Sequence, residues 1–313
     1  MTYPIGTPGV PWGPAEKTAW LAQQVRKRSY ADDVLSAMDR LARRYDVVRY
    51  GELECGAERY PLIAYRSRPW RDEWPIVLVT GGVHGYETSG VHGALLFLEN
   101  HAAPYLDRIN LLAVPCVSPW AYEMVLRWNL HAVDPNRSFG NGAAQESAAL
   151  TQLVAPLVGR TLLHMDLHET TDSDESEFRP ALAARDGEAF EPGAVPDGFY
   201  VVDDTERPQT AFQSAVIEAV SRVTHIAEPD AQGKIIGEPV VARGVIQYPL
   251  KRLGLCASLT GAPFTSTTEV YPDSPRTGPQ QCNLAQATAV CGAIDFALKL
   301  RSVAAAAPPP GGG

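Results

Sequence analysis

The sequence is poor in the features that mark several protein classes. It has five cysteines in 313 residues, an odd number without CxxC spacing, which argues against a disulfide framework or a thiolate zinc site and favours buried free thiols. No apolar run approaches the roughly 20 residues that a membrane span needs. The first residues, MTYPIGTPGVPWG, lack the basic and apolar regions of a secretory signal. These absences favour a cytoplasmic protein without a membrane partner.

Positive charge is also scarce. The 27 lysines and arginines are outnumbered by 36 acidic residues, which gives a formal net charge of −9 and no basic footprint for nucleic acid. With 45% hydrophobic and 20% charged residues, the composition is that of a soluble globular protein. There is no internal repeat or linker, so we expect one catalytic domain over residues 1–302 and a disordered Ala/Pro/Gly tail over 303–313.

The alternation of apolar and polar residues predicts an α/β fold. Residues 30–46 have the apolar spacing of a helix, and the alternating segments 47–53 and 59–67 predict an antiparallel hairpin at a sheet edge. The run WPIVLVTGG has the pattern of a strand buried on both faces. Strands and helices then alternate as β-α-β-α-β, which predicts a mixed, largely parallel central sheet flanked by helices.

A histidine and a glutamate follow the first buried strand. His84 and Glu87, in VTGGVHGYETSG, lie three residues apart where a strand gives way to a helix, and Gly81 and Gly82 permit a sharp turn before them. This spacing lets both side chains face one point. In open α/β sheets, ligands bind at the carboxyl ends of strands. An isolated HxxE pair is nevertheless weak evidence, because such pairs also occur in ordinary loops.

Another histidine ends the third strand of the alternation, TLLHMDLHE. Strand periodicity puts His164, Asp166 and His168 on one face, but only His168 lies at the carboxyl end, level with His84 and Glu87 if the strands are parallel. Two histidines, one carboxylate and an open fourth position form the ligand set of a catalytic zinc. We therefore predict one zinc ion here and interpret His164 as a buried core histidine.

Several charged and polar residues lie together in RWNLHAVDPNRSF, which follows another buried strand. They are Arg127, Asp134, Asn136 and Arg137. Guanidinium groups bind carboxylates through paired hydrogen bonds, and Asp134 is placed to hold a ligand histidine from behind. Without the histidines, the better interpretation is a solvated loop whose charges pair with one another.

Taken in order, these residues resemble the zinc carboxypeptidase (M14) family. That family has an HxxE pair, an arginine before a DxNR segment, a later histidine ligand and a glutamate near the C-terminus. This sequence has His84-x-x-Glu87, Arg127, Asp134-Pro-Asn136-Arg137, Asp166-Leu-His168 and Glu269 in FTSTTEVY. The resemblance spans residues from about 77 to 300. It implies the carboxypeptidase fold and one zinc ion.

The resemblance also implies a role for each residue. The zinc ligands would be His84, Glu87 and His168. Arg127 would steady the oxyanion, and Asn136 with Arg137 would bind the terminal carboxylate of the substrate. Glu269 would be the general base that takes a proton from water and passes it to the leaving amine. Tyr248 occupies the place of a mobile tyrosine that covers the substrate, although a tyrosine in an alternating strand is often simply packed.

Three features depart from the family pattern. Ser118-Pro-Trp-Ala stands in place of an NPDG segment, and Pro135 and Ser138 replace a leucine and an asparagine around Asn136-Arg137. An acidic run, DSDESE, follows His168. This run is either a solvated loop or a means of attracting cationic substrates or a second metal ion.

Two other functions remain open. Succinylglutamate desuccinylase and aspartoacylase proteins share the HxxE, DxNRxF and DLH segments, and they cleave an acyl group from an amino acid. The predicted partner is therefore either a peptide or an N-acyl amino acid with a free carboxylate, and the position of Glu269 favours the peptide. An inactive binding relative is disfavoured, because such proteins usually lose a ligand or the base.

Overall fold

The computed structural model describes residues 3–306. Within that range the helices are α1 Pro14–Leu21, α2 Tyr30–Asp33, α3 Met38–Leu41, α4 Thr88–Leu96, α5 Pro119–Met124, α6 Gln145–Val154, α7 Arg179–Asp186, α8 Thr210–Val220 and α9 Pro279–Ala306. The strands are β1 Tyr45–Cys55, β2 Glu58–Ser67, β3 Ile76–Gly81, β4 Asn110–Val114, β5 Thr161–Glu169, β6 Tyr200–Asp204, β7 Lys234–Ile235, β8 Glu238–Pro239, β9 Val245–Tyr248 and β10 Phe264–Val270.

Eight of these strands form one mixed sheet in the order β1-β2-β4-β3-β5-β10-β6-β9. The central strands β4, β3, β5 and β10 run parallel to one another, whereas β2 pairs antiparallel with β4 and β6 pairs antiparallel with β10. The predicted hairpin is the pair β1 and β2, with β1 at the sheet edge. The prediction of a mixed, largely parallel sheet is confirmed. The short strands β7 and β8 pair with each other outside this sheet.

Strand β3 shows why its sequence is continuously apolar. Val77 and Val79 belong to one hydrophobic core, which also contains residues of α4, α8 and α9. Leu78, between them, enters a second core with Leu150 and Val154 of α6. Because successive side chains of a strand point to opposite faces, a strand covered on both faces needs apolar residues at every position. Helices therefore flank the sheet on both sides, as predicted.

The prediction of a long helix over residues 30–46 is wrong. The segment instead contains the one-turn helices α2 and α3 with a 3-10 turn between them, and β1 begins at Tyr45. The backbone leaves ideal helical geometry at Val34, where φ is −116°. Tyr45 is buried and pairs with Ser67 of β2, so sheet pairing outweighs the local preference for helix at the end of this segment.

The C-terminal helix changes the predicted boundary of the tail. Helix α9 continues to Ala306, so residues 303–306 of the predicted tail are helical, and residues 307–313 lie outside the described range. The division into one catalytic domain stays a prediction. None of the helices within residues 3–306 is both long and apolar enough to cross a membrane. All five cysteines are free thiols, four of them buried and Cys291 partly buried.

Candidate active site

The first two predicted ligands lie in the connection between β3 and α4. The chain turns at Gly82, whose φ of +60° is a conformation that side chains with a Cβ rarely adopt, and a Cβ there would lie 2.6 Å from Val91 Cγ2. His84 follows in the loop, and Glu87 is the residue immediately before α4. The glycine turn thus brings both side chains to the carboxyl end of β3.

The third predicted ligand, His168, lies at the same end of the neighbouring strand. Parallel pairing of β3 and β5 places Gly81 opposite Leu167, so His168 is one residue beyond that pair. Donor atoms of His84, Glu87 and His168 all lie within 4.8 Å of one another, and all three side chains are buried. The structure therefore brings the predicted ligands together at one point.

The way these donors face one another fits a metal ion. His84 Nδ1 is 2.7 Å from Glu87 Oε1, and His168 Nδ1 is 2.7 Å from Glu87 Oε2. Despite the short distance, Glu87 Oε2 has no hydrogen-bond partner within the described residues, although it is buried. A buried carboxylate oxygen without a partner is costly. Two imidazoles and one carboxylate are typical zinc ligands, and a zinc ion would satisfy this oxygen.

Each histidine is held from behind by an aspartate. His84 Nε2 lies 3.0 Å from Asp134 Oδ1, and His168 Nε2 lies 2.8 Å from Asp166 Oδ2. When Nε2–H donates to a carboxylate, the ring is oriented and Nδ1 is left to bind a metal. The supporting position predicted for Asp134 agrees with this contact. The contact of Asp166 was not predicted, although its place two residues before His168 on one strand face was the available signal.

Asp166 is itself fixed by a buried network. The hydroxyl of Thr80 donates to Asp166 Oδ1 at 2.6 Å and lies 3.0 Å from His164 Nε2. Because a hydroxyl has one hydrogen, which the carboxylate receives, Nε2 of His164 must carry the proton of the second bond. His164 is completely buried, as expected of a core histidine, and burial lowers its pKa to about 4. It therefore serves as a neutral hydrogen-bond donor.

Charge pairing sets the protonation of the ligand cluster. Burial on its own would raise the pKa of Glu87, but the His168 and His84 imidazoles outweigh burial and lower this pKa to about 2. Burial likewise opposes ionisation of His168, yet the carboxylates of Glu87 and Asp166 raise its pKa well above the usual value. Glu87 is therefore anionic throughout the neutral range, which is the form that binds a cation.

Glu269 lies beside the cluster on β10. Parallel pairing with β5 sets Glu269 opposite His168. Its Oε2 accepts a hydrogen bond from the Thr170 hydroxyl at 3.0 Å. Burial, together with the negative charge of Glu87, raises the pKa of Glu269 to about 8, although the charge of His168 acts to lower this pKa. The carboxyl group can therefore take up and release a proton near neutral pH.

The segment from Asp134 to Arg137 forms another wall. Residues Pro135–Arg137 form a 3-10 turn. Asp134 caps its start, because Asp134 Oδ1 accepts a hydrogen bond from the Asn136 backbone N–H at 2.8 Å. Asn136 Oδ1 accepts from the backbone N–H of Cys256 at 2.8 Å, so its amide Nδ2 is directed away from that contact. In the described part of the chain the Arg137 guanidinium makes one hydrogen bond, to the Asn136 carbonyl oxygen. Donors of both side chains remain for a ligand.

Arg127 is more constrained than the sequence suggested. Its Nε donates to Asp134 Oδ2 at 3.1 Å, and its Nη1 donates to the Tyr86 hydroxyl at 3.2 Å and lies 3.5 Å from Asp174 Oδ1. Its Nη2 makes no hydrogen bond within residues 3–306. The Tyr86 hydroxyl in turn donates to Asp174 at 2.8 Å. Nothing in the local sequence predicted Tyr86 or Asp174.

The acidic run after His168 is not a loop, because it lies in a helical segment whose π-helical turn, Asp174–Phe178, leads into α7, and only some of its acids are solvated. Asp174 is buried and belongs to the Arg127 network, whereas Asp172 is exposed. Glu169, directly after His168, is also buried and accepts hydrogen bonds from the backbone N–H groups of Thr88 and Ser89, at 3.0 and 2.7 Å. Burial raises the pKa of Glu169 to about 7. This carboxylate thereby attaches the start of α4 to the end of β5.

All the predicted site residues line one cleft of about 810 Å³. They are His84, Glu87, Arg127, Asp134, Asn136, Arg137, His168, Tyr248 and Glu269. Tyr248 enters from the end of β9, and burial raises the pKa of its phenol to about 12, so it remains a neutral donor. Leu255, Tyr200, Val202 and Thr267 add an uncharged part to the wall.

Comparison with known proteins gives structural matches alone. No family model and no curated protein matches the sequence. A candidate metallopeptidase from Shewanella denitrificans superposes with a TM-score of 0.62 at 19% identity, covering 86% of this chain and 89% of that one. A metallo-carboxypeptidase from Burkholderia cenocepacia gives 0.57 at 15%, covering 93% and 70%. The chain has the metallocarboxypeptidase fold. A metallo-carboxypeptidase from Pseudomonas aeruginosa, solved with (2-guanidinoethylmercapto)succinic acid, shares this fold with a TM-score of 0.55 at 14% identity, covering 94% and 70%.

The metallocarboxypeptidase fold agrees with the resemblance inferred from the motifs. At these identities the superpositions establish the fold alone, because fold does not fix function. The local geometry adds an independent observation, since residues from five separate parts of the chain meet in one cleft.

Proposed function

We propose that the protein is a zinc-dependent carboxypeptidase, which releases the C-terminal amino acid of a peptide in the cytoplasm. The observation that carries the proposal is the convergence of His84, Glu87 and His168 beside Glu269, with Arg137 in the same cleft. The structural neighbours described as metallopeptidases and metallo-carboxypeptidases support the hydrolase class.

The ligand cluster would hold one zinc ion. Zinc bound by His84, Glu87 and His168 would supply a Lewis acid and lower the pKa of bound water to about 7. Glu269 then acts as the general base that accepts a proton from the attacking water. The same carboxyl group can then return the proton to the leaving amine.

The substrate's terminal carboxylate would bind to Arg137. Among residues 3–306 this guanidinium has only one hydrogen bond, and the neighbouring Asn136 amide has donors directed away from its contact with Cys256. A carboxylate paired with a guanidinium and an amide gains charge-assisted hydrogen bonds that a neutral amide terminus cannot form. The free carboxylate would in this way select the end of a peptide over internal bonds.

Arg127 and Tyr248 complete the assignment. Arg127 is held rigidly by Asp134 and Asp174, so its free Nη2 can stabilise the developing oxyanion without first being ordered. Tyr248 lies at the end of a short strand and presents a neutral phenol to the cleft, which suits a group that covers bound substrate.

A matched pair of substrates tests the proposal. The zinc-loaded protein should hydrolyse an N-acylated dipeptide that has a free C-terminus. It should hydrolyse the same dipeptide with an amidated C-terminus roughly 100-fold less efficiently in kcat/KM, because the amide leaves Arg137 unpaired. Equal rates on both would contradict the carboxylate clamp. A protein that does not bind zinc would contradict the enzyme proposal altogether.

The same assay separates the N-acyl amino acid deacylase. Acetyl, succinyl and other N-acyl amino acids belong in the panel beside the peptides. Release of the acyl group with peptides untouched would replace the carboxypeptidase proposal by the deacylase. Zinc binding without turnover of either class would indicate an inactive binding protein.

A further inference from the structure

One buried side chain from the C-terminal helix touches three segments of the candidate active site. Gln286 in α9 has no solvent-accessible surface. Its Nε2 donates to the carbonyl oxygen of His168 at 2.7 Å and to the Ser89 hydroxyl at 3.4 Å. Its Oε1 accepts a hydrogen bond from the Thr268 hydroxyl. Both N–H donors and the carbonyl oxygen of this amide therefore have a partner.

Each contact lies on or next to a residue of the cleft. His168 is a predicted zinc ligand, Ser89 lies two residues after Glu87, and Thr268 directly precedes Glu269. A single amide thus joins the backbone of one ligand to the segments that carry another ligand and the base.

The amide has only one orientation that fits. A carboxamide offers two N–H donors and one carbonyl acceptor. Turning it over would set its oxygen against the His168 carbonyl oxygen and lose the bond to His168, whereas the Ser89 and Thr268 hydroxyls can each donate or accept. The close approach that makes these bonds depends on Gly93 of α4, where a Cβ would lie 2.4 Å from Gln286 Cβ. The helix pair is consequently built around this side chain.

We propose that Gln286 is a positioning residue, which sets the spacing between the metal ligands and Glu269. The part that concerns Glu269 rests on the proposed function, whereas the part that concerns His168 and Glu87 rests only on their ability to bind a metal. Loss of the amide would leave the buried His168 carbonyl and Thr268 hydroxyl without this partner. The ligand and base segments would then relax relative to each other, and even small displacements weaken a metal site or a catalytic geometry.

The chain offers a matched control for the loss of a buried glutamine. Gln213 in α8 is also fully buried and donates to the Thr265 carbonyl oxygen at 2.8 Å and to Asp203 Oδ1 at 3.0 Å. Thr265 lies on β10, the strand that carries Glu269, but four residues before it. Gln213→Met therefore removes a comparable helix-to-strand bond from the same strand, and neither Gln213 nor Thr265 lines the cleft.

The test compares Gln286→Met and Gln213→Met with the unmodified protein. Zinc affinity is measured by competition with a chromogenic chelator, and the free energy of unfolding of the zinc-free proteins is measured in urea. We expect both variants to lose stability. Gln286→Met should in addition bind zinc about 10- to 100-fold more weakly, the usual effect of removing a group that orients a ligand. Gln213→Met should keep the original zinc affinity within about twofold.

A second variant covers the case that Gln286→Met does not fold. Gln286→Asn keeps the polar amide but is shorter by one bond of about 1.5 Å, which takes it out of reach of the His168 carbonyl oxygen. It should also weaken zinc binding. An unchanged zinc affinity in a folded Gln286 variant, or an equal loss in the Gln213 variant, overturns the inference.

Peptide hydrolysis, measured in parallel, keeps the two proposals apart. For the folded Gln286 variants at saturating zinc, we expect kcat to fall while KM changes little, because Arg137 and Asn136 make no contact with Gln286. If the unmodified protein binds zinc but cleaves no peptide, the proposed function fails and the zinc affinities still decide the positioning inference. If it cleaves peptides and the Gln286 variants retain both zinc affinity and kcat, only the inference fails.

Discussion

The sharpest prediction concerns Glu269, because one substitution should act in opposite directions on activity and stability. Glu269→Gln keeps the size of the side chain and an oxygen that can accept the Thr170 hydrogen bond. It removes the group that accepts and returns a proton. General acid–base groups contribute about 10²- to 10⁴-fold to rates, so kcat should fall by about that factor. The zinc ligands are untouched, so zinc should remain bound.

The stability effect follows from the raised pKa. In the zinc-free folded protein burial moves the pKa of Glu269 from 4.5 to about 8, so at neutral pH the folded state binds a proton that the unfolded chain has released. The free energy of unfolding therefore falls as pH rises from about 4.5 to about 8. Allowing for partial exposure of the side chain, this costs roughly 2 kcal/mol at pH 7.5, which glutamine avoids.

Urea unfolding of the zinc-free proteins measures this difference. At pH 7.5 the Glu269→Gln variant should be more stable than the original by about 2 kcal/mol, and the difference should shrink towards zero near pH 5. Glu191→Gln, on an exposed segment, is the control and should alter neither turnover nor stability. Undiminished hydrolysis by Glu269→Gln would refute the assignment of the base, and a stability difference independent of pH would refute the electrostatic reasoning.

Two further substitutions probe the rest of the site. Asp166→Asn keeps the shape of the side chain but weakens the support of His168, so chelator competition should show zinc binding about 10- to 100-fold weaker, and an unchanged affinity would mean that Asp166 does not support the ligand. Arg137→Met should raise KM for peptides with a free C-terminus and leave the slow hydrolysis of the amidated peptides unaffected. The preference for the free acid over the amidated peptide should therefore fall by roughly 100-fold in kcat/KM. A preference that survives the substitution would assign the carboxylate to another group.

Much of the fold was predictable because its pattern is local. A strand covered on both faces must be apolar at every position, and β3 is recognisable for that reason. The ends of such strands can also be recognised, so the sequence alone places His84, Glu87 and His168 at one edge of the sheet. The prediction of a helix over residues 30–46 failed at its end because helical spacing there competes with the pairing of Tyr45 to Ser67, a contact between residues distant in sequence.

The supporting residues were harder to predict for a related reason. Asp166 shares a strand face with His168, so a local signal existed. Gln286 and Asp174 contact the site across long sequence separations, and a lone glutamine in a helix or one acid within an acidic run carries no periodic signal. Such residues are identified by the partners of their polar atoms in the folded chain, as the contacts of Gln286 with His168, Ser89 and Thr268 illustrate.

The place of β10 in the sheet has a consequence for the order of assembly. Strands β6 and β9 are made before β10 on the ribosome, yet in the sheet they join β5 only through it. A chain that ends before β10 can pair the strands β1 to β5 with one another and β6 with β9, but it lacks the strand that joins these two groups. The strand that closes this gap also carries Glu269. During synthesis the ligand segments can therefore meet early, whereas a competent active site must await almost the whole chain.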